Sequence, residues 1–202
     1  LEPPAYNAFI ERMEEIVRSH GMRLVGWDEV AMAEIGAESV VQLWRPLWPG
    51  DDATELDSAS AAAAAELEEG VMRLVEAGGS VILSPADRLY LDMKYDSTTA
   101  IGLSWAGLAD VRTSYDWAIS DLFGALPEES IAGVEAPLWS ETIGSIHDIE
   151  YLAFPRLAGV AEMGWSQESK RSWEEYRLRL AAQAPRWTVL GINFHRSSLV
   201  PW

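Results

Sequence analysis

The 202 residues carry 15 Lys and Arg against 32 Asp and Glu, a formal charge of −17, and so acidic a chain lacks the cations that phosphate binding needs, which argues against a nucleic-acid partner. Almost half the residues (49%) are apolar, too many for a disordered chain, yet no apolar run approaches the roughly 20 residues that span a bilayer. The absence of cysteine excludes disulfides, thiolate metal sites and cysteine nucleophiles.

In chain order, Phe9, Met13, Ile16 and Val17 fall at helical spacing within 5–19, with Gly21 as a stop. His20 reads as a cation at that helix's C-terminal end. Residues 22–27 (MRLVGW) form a short apolar strand ending at Trp27, and 29–35 one or two helical turns. Residues 39–44 (SVVQLW) form a second strand ending at Trp44, followed by a loop with Pro46, Pro49, Gly50, Asp51, Asp52 and Asp57. The alanine run makes 59–77 the clearest helix: Ser58 or Ser60 caps it, Leu67, Val71, Leu74 and Val75 form its buried stripe, and Gly78-Gly79 ends it. A third strand covers 80–83 before Pro85. Residues 85–114 read as a long loop of the functional kind, 115–123 as a short helix and 132–138 as a fourth strand. Helices over 148–163, 170–184 and 187–197 complete the chain.

Short apolar strands alternating with helices predict an α/β fold with a parallel sheet. About four such strands suit a small open sheet or half of a (β/α)8 TIM barrel. In such barrels the site lies at the strand C-termini, and several of these strands end in aromatics. There are ten tryptophans, each a large flat apolar face with one N–H donor. Any one of them taken alone is ordinarily core. Four segments set aromatics beside carboxylates at strand ends: GWDEV (26–30), VVQLW (40–44), SPADRLYLDMKYD (84–96) and GVEAPLWSE (133–141). In extended chain Tyr90 and Asp92 share a face, as do Trp139 and Glu141. Such pairs suit a sugar: the ring stacks on a pyranose, and the carboxylate accepts hydroxyl hydrogen bonds.

These segments, together with GLSWAG (102–107), TSYDW (113–117) and FPRLAGVAEMGWS (154–166), resemble in order the C-terminal half of the family 20 glycoside hydrolase barrel. That family comprises the β-N-acetylhexosaminidases. The resemblance covers almost the whole chain, so residues 1–202 are expected to form a single partial domain. It implies removal of terminal GlcNAc or GalNAc from chito-oligosaccharides or glycoconjugates by a substrate-assisted retaining mechanism, without metal or cofactor. The substrate's 2-acetamido oxygen attacks its own anomeric carbon. By motif, Trp27, Trp44 and Trp139 resemble the walls of the acetamido pocket, and Tyr90 the hydroxyl donor to the acetamido oxygen. Asp92 and Glu141 resemble acceptors for outer sugar hydroxyls, and Trp105 a platform for the next sugar.

The resemblance also implies an adjacent Asp-Glu catalytic pair, the glutamate serving as general acid, before the first helix and so outside this chain. The polypeptide alone is therefore expected to be nearly inactive. Asp28-Glu29 is adjacent too, but it follows the GW of the next strand and by motif is not that pair. Glu135 reads as a candidate buried acid without a role, and Arg156 as a structural anchor. His20, His147 and His195 lack ligand spacing. A non-catalytic carbohydrate-binding module is the rival reading; an Asp-Glu pair shortly upstream of Leu1 would favour the enzyme. A half barrel exposes sheet edges and apolar surface, which predicts self-association.

Overall fold

A computed structural model of the protein describes residues 3–45, 58–118 and 126–202. The chain forms two compact units, Leu1–Leu83 with Phe123–Gly133, and Ser84–Leu122 with Val134–Trp202.

The first unit opens with helix α1 (Pro3–Ser19), then strand β1 (Val25–Trp27), a 3-10 helix (Asp28–Met32), strand β2 (Val40–Leu43), helix α2 (Ser58–Glu76) and strand β3 (Ser80–Leu83). Strand β4 (Ile131–Val134) completes a four-stranded sheet in the order β1-β2-β3-β4. The β1–β2 and β2–β3 pairs are parallel; Trp27 lies opposite Gln42, and Leu43 opposite Leu83. All of β2 is buried, as expected of a strand covered on both faces. Leu67, Val71, Leu74 and Val75 of α2 are buried, so the predicted stripe is the one that packs. Gly70 lets α2 approach the 3-10 helix: a β-carbon there would meet the Ala31 carbonyl oxygen at 2.2 Å. The Arg73 guanidinium donates to that same oxygen at 3.1 Å.

The second unit begins with a single helical turn, α3 (Ala86–Leu89). An isolated parallel bridge then joins Met93 to Leu103. Helices α4 (Ile146–Ala153), α5 (Arg156–Trp165), α6 (Trp173–Ala181) and α7 (Ala184–Leu190) follow. Ser145 caps α4, accepting from the Asp148 amide. An aromatic core gathers Tyr95, Tyr115, Trp173, Tyr176, Trp187 and Phe194.

Several expected boundaries move. The helix expected over 148–163 is two helices, α4 and α5, because Pro155 supplies no amide and its ring obstructs the preceding turn. The last helix runs over Ala184–Leu190 rather than 187–197; Pro185 sits in its first turn, and Gly191, at φ 72°, ends it. Residues 115–118 are turn and coil rather than helix. Strands β1 and β4 are shorter than expected, and Glu135, just past β4, is exposed rather than buried. The loop with Pro46, Pro49, Gly50, Asp51, Asp52 and Asp57 lies outside the described residues, as does Trp48. Among the described residues, no helix is long and apolar enough to cross a membrane.

Candidate functional site

In the first unit, parallel pairing delivers two indoles to one edge of the sheet. Trp27 closes β1 opposite Gln42 of β2, and Trp44 directly follows β2. Gly26 is required before Trp27, since a β-carbon there would lie 2.6 Å from a Val30 methyl. Both indoles are partly buried.

Carboxylates surround this edge. Asp28 is buried and pairs with Arg45 at 3.2 Å; Arg45 also pairs with Glu29 at 3.1 Å. Burial pushes the Asp28 carboxyl up to about 7, Glu29 adds to the rise, and the Arg45 cation and the Trp44 amide oppose it. Burial also raises the Tyr6 phenol of α1, and the charges of Glu29 and Asp28 raise it further.

In the second unit, Tyr90, Asp92, Trp105 and Trp139 come together. Tyr90 is buried. Its ring meets Trp105 edge-on at 5.9 Å between centroids and Trp139 at a tilt at 6.2 Å. The two indoles remain 54% and 42% exposed. Asp92 is buried; its Oδ1 accepts from the Trp139 amide at 3.3 Å, while its Oδ2 is buried with no hydrogen-bond partner among the described residues. A buried acceptor left unmatched costs free energy unless a ligand supplies the donor. Burial raises the Asp92 carboxyl above the ordinary range and the Glu141 charge adds to this, while the Trp139 amide and Arg156 oppose it. Glu141 itself is exposed.

The backbone that carries these groups is pinned. Residues 90–93 make a turn, with the Met93 amide donating to the Tyr90 carbonyl at 3.1 Å. The strand-like alternation expected for Tyr90 and Asp92 is therefore not what groups them. Leu103 donates to the Asp92 carbonyl and Lys94 to the Leu103 carbonyl, each at 2.8 Å. Gly102, at φ 98°, makes this possible: a β-carbon would come within 2.7 Å of the Asp92 carbonyl oxygen. The Gly102 amide donates to the Thr142 hydroxyl at 2.9 Å, which ties this loop to the one carrying Trp139 and Glu141. Arg156 acts as the expected anchor. Fully buried, it donates to the carbonyls of Leu91, Met93, Ala109 and Leu152.

Residues 3–168 match the glycosyl hydrolase family 20 catalytic domain. The chain belongs to that family. A β-N-acetylhexosaminidase of Cellulomonas fimi is 37% identical over the whole of this chain, which spans 37% of that relative. Among solved structures, a mutant β-hexosaminidase of Streptomyces plicatus, bound to its product GlcNAc, superposes with a TM-score of 0.86 at 45% identity. This chain is covered completely and accounts for 38% of that one. The family 20 β-N-acetylhexosaminidase of Streptomyces coelicolor gives a TM-score of 0.85 at 44% identity, with 98% of this chain and 37% of that one covered. The chain thus spans well under half the length of these relatives. Its parallel strands and intervening helices are a portion of the family 20 α/β barrel.

Sequence reasoning did not find the Arg45 bridge to Asp28 and Glu29, nor the Gly102–Thr142 tie. Arg45 follows a motif tryptophan, but nothing in its immediate sequence marks two carboxylates 16 and 17 residues earlier as its partners.

Proposed function

We propose that this chain supplies part of the sugar site of a β-N-acetylhexosaminidase that releases terminal, non-reducing GlcNAc or GalNAc by the substrate-assisted retaining route. The observation that carries the reading is the packing of Trp105 and Trp139 against Tyr90, with the Trp139 amide on a buried Asp92 whose second oxygen has no partner among the described residues.

Each group has a chemical task. The Tyr90 hydroxyl donates to the acetamido oxygen and holds it for attack on C1, so that the nucleophile belongs to the substrate. Trp139 presents an apolar face to the acetamido methyl, and Trp27 and Trp44 each keep the wall role that the motif resemblance gives them. Asp92 Oδ2 accepts from a sugar hydroxyl, which supplies its missing donor. Glu141 accepts from a second hydroxyl, and Trp105 stacks on the following sugar. The glutamate that protonates the leaving oxygen and its aspartate partner are assigned to no residue of this chain, and Asp28-Glu29 is not given that role.

The test is calorimetric titration of the full-length gene product with a thiazoline mimic of N-acetylglucosamine. Losing one charge-assisted hydrogen bond costs about 1.5–3 kcal/mol, roughly 10- to 100-fold in affinity. Asp92→Asn is expected to weaken binding toward that range, Tyr90→Phe by about two- to tenfold as the loss of a neutral hydrogen bond, and Trp139→Ala at least tenfold. Unchanged affinity in all three overturns the site. Binding with no turnover of a chromogenic N-acetylglucosaminide would favour a non-catalytic sugar-binding module.

A further inference from the structure

The charged cluster at the end of β1 and β2 has no task in the chemistry above, yet it is built around Trp44. One guanidinium bridges two neighbouring carboxylates: Arg45 Nε lies 3.2 Å from Asp28 Oδ2, and Nη2 lies 3.1 Å from Glu29 Oε1. The same guanidinium carbon stands 5.0 Å from the centroid of the Trp44 ring. Glu29 Oε2 accepts from the Trp44 indole N–H at 3.4 Å. The indole is thus held on its face by a cation and on its edge by a carboxylate, and those two holders are tied to each other. Asp28 is the fixed end of the bridge, with its side chain 2% exposed, against 36% for Glu29 and 45% for Arg45.

We propose that Asp28, Glu29 and Arg45 are positioning residues that set the plane of the Trp44 indole and thereby the size of N-acyl group the site accepts. The proposal rests on the reading of Trp44 as an acetamido wall. An aromatic side chain turns easily about its outer torsion, and a binding wall works only when a second layer of contacts fixes it. The exposed Arg45–Glu29 pair contributes little to stability, on the order of 0–1 kcal/mol. Its loss should therefore show in selectivity far more than in folding. When Asp28 is ionised, Arg45 supplies the counter-charge that its buried carboxylate needs.

The experiment measures two affinities on the full-length gene product, for thiazoline mimics of N-acetyl- and N-butyryl-glucosamine. Their ratio is independent of the fraction of protein folded, so a merely structural defect does not move it. Trp44→Ala is expected to collapse the preference for the acetyl ligand. Arg45→Ala and Glu29→Ala are each expected to narrow the ratio about threefold to tenfold with nearly unchanged melting temperature. Arg45→Lys and Glu29→Gln should recover part of it, the first by keeping the cation, the second by keeping the acceptor for the indole. If Trp44→Ala changes the ratio and neither alanine variant of the bridge does, the positioning role is wrong and the wall stands. If Trp44→Ala leaves the ratio alone, or the parent binds neither ligand, the wall itself falls and the positioning role with it.

Discussion

Replacing Arg156 by methionine keeps most of the side-chain volume and removes five N–H donors. The residue is 1% exposed, so no water reaches the acceptors it leaves. Its guanidinium serves four carbonyls, those of Leu91, Met93, Ala109 and Leu152, and its carbon sits 3.9 Å over the Tyr95 ring. The Leu152 oxygen also accepts the Tyr95 hydroxyl at 2.9 Å, so the loss falls mainly on the other three. At about 1–3 kcal/mol for each buried acceptor left unmatched, the gross penalty is several kcal/mol. Relief from burying a cation offsets part of it, leaving about 3–5 kcal/mol. That is a large share of a typical 5–15 kcal/mol stability. Equilibrium denaturation in urea, followed by near-ultraviolet circular dichroism of the aromatic core, reads the loss directly. Arg156→Lys keeps the charge but lacks the fork that reaches several carbonyls at once, so it should fall between parent and methionine. Because Leu91 and Met93 flank Asp92, the lysine variant should also bind the thiazoline mimic more weakly while still folded. A methionine variant within about 1 kcal/mol of the parent would refute the reasoning.

Gly102→Ala puts a β-carbon at φ 98° and 2.7 Å from the Asp92 carbonyl oxygen; strain of about 1–3 kcal/mol should lower the melting temperature and weaken ligand binding together, and an unchanged melt would count against the described turn. Asp28, raised from 3.8 to about 7, keeps in the folded state a proton that the unfolded chain has already lost between those values, so folding stability falls as pH rises through that window. Asp28→Asn removes this slope: thermal melts at pH 5 and pH 8 should show the variant gaining on its parent at the higher pH, by at most about 3 kcal/mol, and parallel slopes would refute the burial argument. The 202-residue polypeptide leaves Phe9, Met13 and Ile16 of α1 exposed in one helical stripe, so size-exclusion chromatography should show it larger than a monomer; a stable, well-folded monomer would contradict that.

Elements set by local composition were legible. The alanine-rich α2 and the apolar strands β2 and β3 carry their own signals, and each was expected within a residue or two of its place. The errors share a cause: apolar patterning persists where backbone geometry does not. Leu152 and Val160 are both buried, so the apolar pattern reads through Pro155 although the hydrogen-bond ladder breaks there. Met22 belongs to an apolar run but is 58% exposed, and only residues 25–27 pair with β2. At the candidate site, the pairing of aromatics with carboxylates was readable as residue types. Their mode of assembly was not. Tyr90 and Asp92 are joined by a turn, and that turn depends on Gly102 and Arg156, which lie 10 and 64 residues beyond Asp92 in the sequence.

Charge balance shows why such distant partners decide the local geometry. In a chain of net charge −17, surface carboxylates are abundant and say little one by one, whereas each cation has many possible partners. The arginines that instead reach backbone carbonyls or grip a site aromatic are therefore the informative ones. Arg73 holds α2 to the Ala31 carbonyl. Arg171 donates to the carbonyls of Tyr115 and Trp117, in a stretch that forms no helix. Arg156 gathers the turn around Asp92, and Arg45 closes over Trp44. Each satisfies backbone or side-chain acceptors that regular secondary structure leaves over, which is the task a planar five-donor group does best. The parallel register of β1 on β2 decides which acceptors Arg45 finds. With Trp27 opposite Gln42, the chain leaves β1 so that Asp28 and Glu29 come within reach of Trp44 and Arg45 at the end of β2. Parallel pairing displaced by one residue would shift Asp28 and Glu29 by about 3.3 Å along the strand, more than a hydrogen bond tolerates, and would separate Arg45 from at least one of them. The arrangement around Trp44 is thus a consequence of sheet register before it is one of side-chain choice.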